Sequence, residues 1–393
     1  MSDVLYLAWR YLAYHKIKTM ILVASITLIV FLPVGLNVIV GQSSAELTAR
    51  AEATPLLVGA KGSPLELVLN SLYFDSDPPE LTTYAEALRV VEFELATPIP
   101  LYVRFRSRDI PIVGTTLEYF DFRRLHFAAG RPIAVLGECV IGSRVAEDLG
   151  VGVGGEVISS PESVFDLAGV YPLKMAVVGV LAPAYSADDE AIFVDIKTTW
   201  VIEGLVHGHQ DLAAPEAAAG VLKREGDTIV GNASVVQYNE ITPDNVDSFH
   251  FHGDMSDYPV SAIVAVPKDQ KAGTILMGRY EGGEEPSQIV QPTSVMNDLL
   301  DTILTIQGFV IAAILLVAAA TIATAALVFL LSLRLRRREI ETMTKIGGSR
   351  LSIGTILVSE VVAVLVLGVG LAGALTLVTS QFGAGIIRAW LLS

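Results

Sequence analysis

The sequence predicts a membrane α-helical protein: three transmembrane helices, with a large mixed α/β domain inserted between the first and the second. Three observations lead there. First, 52% of the 393 residues are hydrophobic and only 18% are charged, a balance that excludes an intrinsically disordered chain. Second, the apolar residues are segregated. Residues 19–40 and 302–333 carry no charge, and residues 351–387 carry one, Glu360. A bilayer-spanning helix needs about 20 apolar residues, so each stretch is long enough to cross. Third, the intervening residues 41–301 have the composition of a water-soluble domain, with 17 basic and 38 acidic residues.

Residues 1–18 come first. Arg10, Lys16 and Lys18 face a single acid, Asp3, which holds this end in the cytoplasm, because Lys and Arg in short flanks stay inside. Tyr6, Trp9, Tyr11 and Tyr14 suit a helix lying at the membrane interface before the chain turns inward. The first span, 19–40, is longer than the roughly 7–15 apolar residues of a cleaved signal peptide, so it is expected to remain as an anchor. Both basic flanks, this one and 334–350, point the same way. The acidic domain therefore lies across the membrane, and its acidity is unsuited to nucleic acid.

Within 41–301 the pattern is mixed α/β. Tyr102–Arg106 alternates as a half-buried strand does. Ser143–Leu149 reads as a short helix with Ser143 as its cap and Gly150 as its stop. Val157-Ile158, Val177–Leu181, Ala191–Val194 and Ala262–Val266 are strand-like, Ala213–Gly220 is a helix or linker, and a subdomain break is expected within 205–230. Asp188-Asp189-Glu190 reads as a solvated turn. Cys139, the only cysteine, excludes an intramolecular disulfide and is expected to be buried and inert.

The second span, 302–333, is too long for the membrane alone. At about 1.5 Å per residue it reaches roughly 48 Å against a hydrocarbon core near 30 Å, so it doubles as a stalk. Residues 334–350 follow as a cytoplasmic helix and loop. Basic residues from Arg334 to Arg338 anchor the end of the span, Ile340, Met343 and Ile346 recur at helical spacing, and Gly347-Gly348 stops the helix. Ser349 or Ser352 caps the third span, 351–380, and 381–393 form a C-terminal tail. Alanines 318–320, 323, 325 and 326, with Gly368, Ala372 and Gly373, permit close helix approach.

The order Arg337-Arg-Glu-Ile340, Ile346-Gly-Gly-Ser-Arg350, Ile356-Leu357 and Glu360 resembles the loop of ABC-transporter permeases of the MacB/FtsX type. A second run resembles that family's periplasmic core: Pro111-Ile-Val-Gly-Thr115, Gly130-Arg131, Glu138-Cys-Val-Ile-Gly142, Ala146–Gly154 and Val177-Val-Gly-Val-Leu181. The likeness covers the membrane parts and about residues 41–205, and weakens over 206–300. It implies a bacterial inner-membrane permease that works as a homodimer with a separate cytoplasmic ABC ATPase and performs mechanical work in the periplasm, exporting or extracting substrate. Membrane lipids and a periplasmic adaptor or substrate-carrying protein are further expected partners. Carried over by position, Arg337, Glu339, Ile340, Met343, Ile346, Gly347, Ser349 and Arg350 would dock the ATPase. ATP would be bound by that partner, since no G-x-x-x-x-G-K-[ST] occurs in this sequence. The family normally has four spans where three are read here, which leaves a three-span subgroup or a shortened chain as alternatives.

Histidine supplies the one hint of site chemistry. His207-Gly-His209 and His250-Phe-His252 are i, i+2 pairs, and Asp254 follows the second. Residues two apart on a strand share a face, so the four imidazoles with Asp254 could hold zinc; the plainer reading is polar loop histidines. No hydrolase motif accompanies them, and the chain is expected not to be an enzyme. Two other functions therefore stay open: an FtsX-type scaffold that activates a periplasmic hydrolase, and a membrane-anchored zinc-binding protein within a metal-handling ABC system.

Overall fold

The computed structural model describes residues 2–160, 172–208, 221–225, 228–231, 239–282, 285–335, 337–345 and 349–391. The chain forms two compact units, Met1–Ala49 with Asn297–Ser393, and Arg50–Met296. At the N-terminus, α1 (Ser2–Tyr14) is followed after His15 by α2 (Lys16–Glu52), where Thr19 Oγ1 donates to the Leu12 carbonyl at 3.0 Å. Pro33 lies inside α2, a position that membrane-spanning helices tolerate.

The second unit opens with β1 (Leu56–Ala60), α3 (Pro64–Val68), β2 (Thr82–Thr83), α4 (Ala85–Glu92), β3 (Ala96–Ser107) and β4 (Ile110–Thr115). After α5 (Glu118–Arg123) come β5 (Phe127–Gly130), β6 (Glu138–Ile141), α6 (Ser143–Leu149), β7 (Glu156–Ile158) and β8 (Lys174–Leu181). A short 3₁₀ turn, Ala187–Glu190, leads to β9 (Ile192–Asp195), α7 (Ile196–Ile202) and β10 (Val206–Gly208). Then follow β11 (Val221–Glu225), β12 (Thr228–Gly231), β13 (Phe249–Phe251), β14 (Pro259–Val260), β15 (Ala262–Pro267), α8 (Gln270–Arg279) and β16 (Ser287–Val290). Among the described residues ten strands make one mixed sheet in the order β16-β1-β15-β3-β4-β9-β6-β8-β5, with β7 added on β8; β4 and β9 are parallel, as are β6 and β8.

Helices α4 and α7 pack on β3. Tyr102–Arg106 is therefore more deeply covered than its alternation predicts: Leu101, Tyr102, Val103 and Phe105 are all buried. The strands expected at Val157, Val177, Ala191 and Ala262 form within a residue or a few of the expected bounds. Ala213–Gly220 lies outside the described residues. Helix α6 starts and stops where expected, and Gly150 is left-handed at φ 63°. Its N-cap, however, is Gly142 rather than Ser143. The reason is steric: a Cβ on Gly142 would collide with the carbonyls of Asp188 and Asp189, while its N–H donates to Ala191 O at 2.9 Å. Cys139 is buried in β6, and burial pushes its thiol up to about 12, consistent with an inert side chain.

The chain closes with α9 (Pro292–Leu335), α10 (Arg337–Lys345) and α11 (Arg350–Leu391). Proline opens α9, where its missing N–H costs nothing. Residues 381–391, read as a tail, continue α11 as helix. Among the described residues three helices are long and apolar enough to cross a membrane, with spans at Lys16–Gln42, Pro292–Thr324 and Ile353–Gln381. Helices α2 and α11 approach at a glycine. Thr27 Oγ1 donates to Gly368 O at 3.1 Å, and a Cβ on Gly368 would come within 2.6 Å of Ile26. Small residues are thus used as expected for packing without a hydrophobic driving force.

Candidate functional site

Three places carry the residues with functional promise. The first is the loop between α9 and α11. The expected short helix is there as α10, strongly polar on one side. Arg337 is 83% exposed and pairs with Glu341 at 3.3 Å, one turn on, while Ile340 is half-buried. Glu339 and Met343 lie on this helix and Arg350 opens α11; for these three the structure describes the backbone alone. Ser349 stands at the N-cap position of α11 and its carbonyl accepts from Ile353 N at 3.1 Å. Ile346 and Gly347 lie outside the described residues.

The second place has no local signature in the sequence. Arg50, in the last turn of α2, is buried in the α/β unit. Its two terminal nitrogens donate to both oxygens of Asp188, at 2.6 and 2.9 Å, one of them also to Tyr119 Oη at 2.9 Å, and its Nε donates to the Leu72 carbonyl. Tyr119 Oη donates to Asp188 at 2.7 Å and Ser186 Oγ to the same carboxylate at 2.9 Å. Burial opposes the Asp188 charge, but Arg50 beside it and the hydrogen bonds it accepts outweigh that and hold its pKa at about 2. Burial likewise opposes the Arg50 charge, and Tyr119 and Asp188 reverse the balance, so its pKa stands above the ordinary value. Burial, with the negative Asp188 beside it, pushes Tyr119 up to about 12.

The expectation of a solvated turn at 188–190 is therefore corrected: Asp188 and Asp189 are buried. Asp188 is drawn inside by a cation that lies far away in sequence. Asp189 is spent on the turn itself, accepting from Ala184 N at 2.8 Å and completing a capping box with Ser186. Ser186-x-x-Asp189 was a legible local signal for the turn. A single Arg closing a long apolar helix was the only hint of its partner.

The third place is the antiparallel ribbon of β10 and β13, which joins the two histidine segments with His207 opposite His250. The rings of His250 and His252 stand 4.7 Å apart. His209 lies outside the described residues, and His207 is described by its backbone alone. Asp254 is engaged locally, since its carboxylate accepts from Ser256 N at 2.9 Å and caps the turn Met255–Asp257. Among the described residues no group of three or more His, Cys, Asp or Glu is arranged to hold a metal ion.

Comparison with known proteins identifies the α/β unit. A family model described as the MacB-like periplasmic core domain matches residues 19–224, just over half of the chain. No curated protein matches it. Solved structures similar to the chain include the extracellular domain of the noncanonic ABC-type transporter YknZ from Gram-positive bacteria, at 13% identity and TM-score 0.33, covering 60% of this chain and 98% of that one. The periplasmic region of MacB from Actinobacillus actinomycetemcomitans is similar at 10% identity and TM-score 0.34, covering 63% and 94%. A domain of a putative permease protein from Porphyromonas gingivalis is similar at 14% identity and TM-score 0.26, covering 60% and 86%. With its mixed sheet and three membrane-length helices, the chain belongs to the family of the MacB-like periplasmic core domain, as an ABC-transporter permease of the MacB/FtsX type.

Proposed function

We propose that this chain is the transmembrane subunit of a bacterial inner-membrane ABC system, paired with a second copy, that turns ATP hydrolysis by a separate cytoplasmic ATPase into movement of the periplasmic α/β domain. The observation that carries the reading is the membership of the family, joined to the helix content. Helix α9 runs without interruption for 44 residues, about 66 Å at 1.5 Å per residue, some twice the thickness of the hydrocarbon core. Such a helix passes displacement along its axis instead of absorbing it. Helix α10 with the residues around it, Arg337 to Arg350, is the docking surface in this reading. Its half-buried Ile340 offers an apolar grip between charges.

The spans themselves support mechanical work over a membrane-crossing substrate path. Transport routes within a bilayer are marked by ionisable groups, and residues 302–333 have none while 351–387 have only Glu360. The test is affinity isolation of the full chain in mild detergent from its native cells, followed by ATP hydrolysis by the isolate. A co-isolated ATPase is expected, lost or uncoupled in Ile340→Asp and Met343→Asp. An isolate with no nucleotide-hydrolysing partner overturns the reading.

A further inference from the structure

We propose that a groove between the start of α2 and the far end of α9 binds one molecule of an anionic phospholipid, with the headgroup phosphate beside Lys16 and His15 and an acyl chain along Ile21 and Leu22. The groove encloses about 800 Å³ and lies within one compact unit. Among the described residues its mouth is formed by His15, Lys16 and Lys18, and its wall by Ile21, Leu22, Ser25 and Thr321. The first membrane-length stretch begins at Lys16 and the second ends at Thr324, which also lines the groove. The groove therefore opens at the edge of the hydrocarbon layer and not at its middle. The bend that shapes the mouth is held in place. Thr19 bonds back to the Leu12 carbonyl across the junction of α1 and α2, and the His15 ring rests against those of Tyr11 and Tyr14, with centroids 4.5 and 5.0 Å apart.

The wall accepts an apolar chain although three of its residues carry hydroxyls. Ser25 Oγ donates to the Ile21 carbonyl at 2.8 Å, Thr321 Oγ1 to Val317 O at 2.8 Å and Thr324 Oγ1 to Ala320 O at 2.9 Å. Each hydroxyl spends its proton on its own helix. These short side chains make room beside Ile21 and Leu22 without a donor that needs a polar partner. The mouth is the opposite. Lys16 is exposed, His15 is half-buried, and among the described residues no Asp or Glu lines the groove. Lysine stems lie along apolar surface while their ammonium groups stay at its polar edge, where a phosphate accepts from them. An imidazole offers an N–H in either tautomer. Lys18, half-buried in the same mouth, adds positive charge whatever else it contacts. Length decides the occupant. From Lys16 to Ser25 the groove follows α2 for about 14 Å at 1.5 Å per residue, close to half of a hydrocarbon core near 30 Å. That is the depth of one leaflet. A helix of a second copy would use the full span, and residues 19–40, 302–333 and 351–387 hold one acid between them, the buried Glu360. An anionic lipid supplies the charge and the chain together. The site rests on the helices crossing a membrane and not on whether the chain works with an ATPase.

The experiment uses the full chain in a neutral detergent, stripped of native lipid and titrated with phosphatidylglycerol, phosphatidylcholine or glycerol 3-phosphate, with bound molecules counted by native mass spectrometry. One phosphatidylglycerol per chain is expected, held in preference to phosphatidylcholine. Glycerol 3-phosphate, which has the charge but no chain, should not saturate. Lys16→Gln should weaken phosphatidylglycerol binding about fivefold, the worth of one basic residue at an anionic surface. Because Lys16 is exposed, this variant should melt with the wild type. Ser25→Trp fills the groove and should abolish binding, whereas Leu32→Trp, at an exposed position of the same helix outside the groove, should leave it unchanged. The comparison of lipids needs no variant. Phosphatidylcholine held as tightly as phosphatidylglycerol, wild-type affinity in Lys16→Gln, or binding retained in Ser25→Trp overturns the proposal. Saturable binding of glycerol 3-phosphate makes this a site for free phosphate and overturns the lipid. A wild type that binds no phosphatidylglycerol, with self-association lost in Ser25→Trp, assigns the groove to a second copy and overturns it too.

Discussion

Replacing Arg50 by methionine keeps the length of the side chain and removes its charge. The structure sets the size of the effect. The Arg50 and Asp188 side chains are 8% and 2% exposed, so solvent cannot take over from the lost partner. Breaking a buried pair by removing one side costs about 3–5 kcal/mol, because the remaining charge is stranded in a poor solvent. Tyr119 and Ser186 still donate to Asp188, and Arg123 contributes a nearby positive charge; these place the expected loss toward the lower end. For a unit of this size each kcal/mol lowers Tm by about 2–4 °C, so a loss near 3 kcal/mol should make Arg50→Met melt ~6–12 °C below the wild type. Near-UV circular dichroism of the full chain reports it, with Trp200 buried in the same unit. The double variant Arg50→Met, Asp188→Leu removes the stranded carboxylate and should recover part of the loss, with Arg123 keeping its charge nearby. A melting point within about 2 °C of wild type for Arg50→Met refutes the reasoning. So does strict additivity of the two substitutions, since contacting residues must couple.

Acid dependence follows from the same carboxylate. Its folded pKa is about 2 against an ordinary 3.8, so the folded state binds this proton less readily. The stability it contributes is present above pH 4 and fades as pH falls from 4 toward 2. Asp188→Asn should therefore flatten the acid limb of a Tm-against-pH curve. Cys139 should resist iodoacetamide in the folded chain at pH 8 and react after denaturation, since burial pushes its thiol to about 12; labelling of the native protein at the rate of a free thiol contradicts this. Gly142→Ala should destabilise by about 1–3 kcal/mol, the usual cost of overpacking, because its new methyl meets the carbonyls of Asp188 and Asp189; a thermal melt matching the wild type tells against that contact.

The sequence alone determined the three helices long and apolar enough to cross a membrane and much of the local structure. The long apolar helices that contain 19–40, 302–333 and 351–380 were legible because transfer to lipid depends on composition over some twenty residues, with no need of partners. Helix α10 and the stop at Gly150 were legible because period and glycine chemistry act within a turn or two. The family could be read from short runs such as Glu138–Gly142 and Val177–Leu181, which became neighbouring parallel strands. Tertiary structure alone decided the rest. The sheet order, in which β1 pairs with β15 and β16, depends on contacts some two hundred residues apart. Asp188 looked like a solvated charge because nothing local could name Arg50 as its partner, 138 residues earlier. Position 207 likewise came opposite His250 only when β10 and β13 aligned. Charge and register express themselves through distance in space, and a linear chain states only distance along itself.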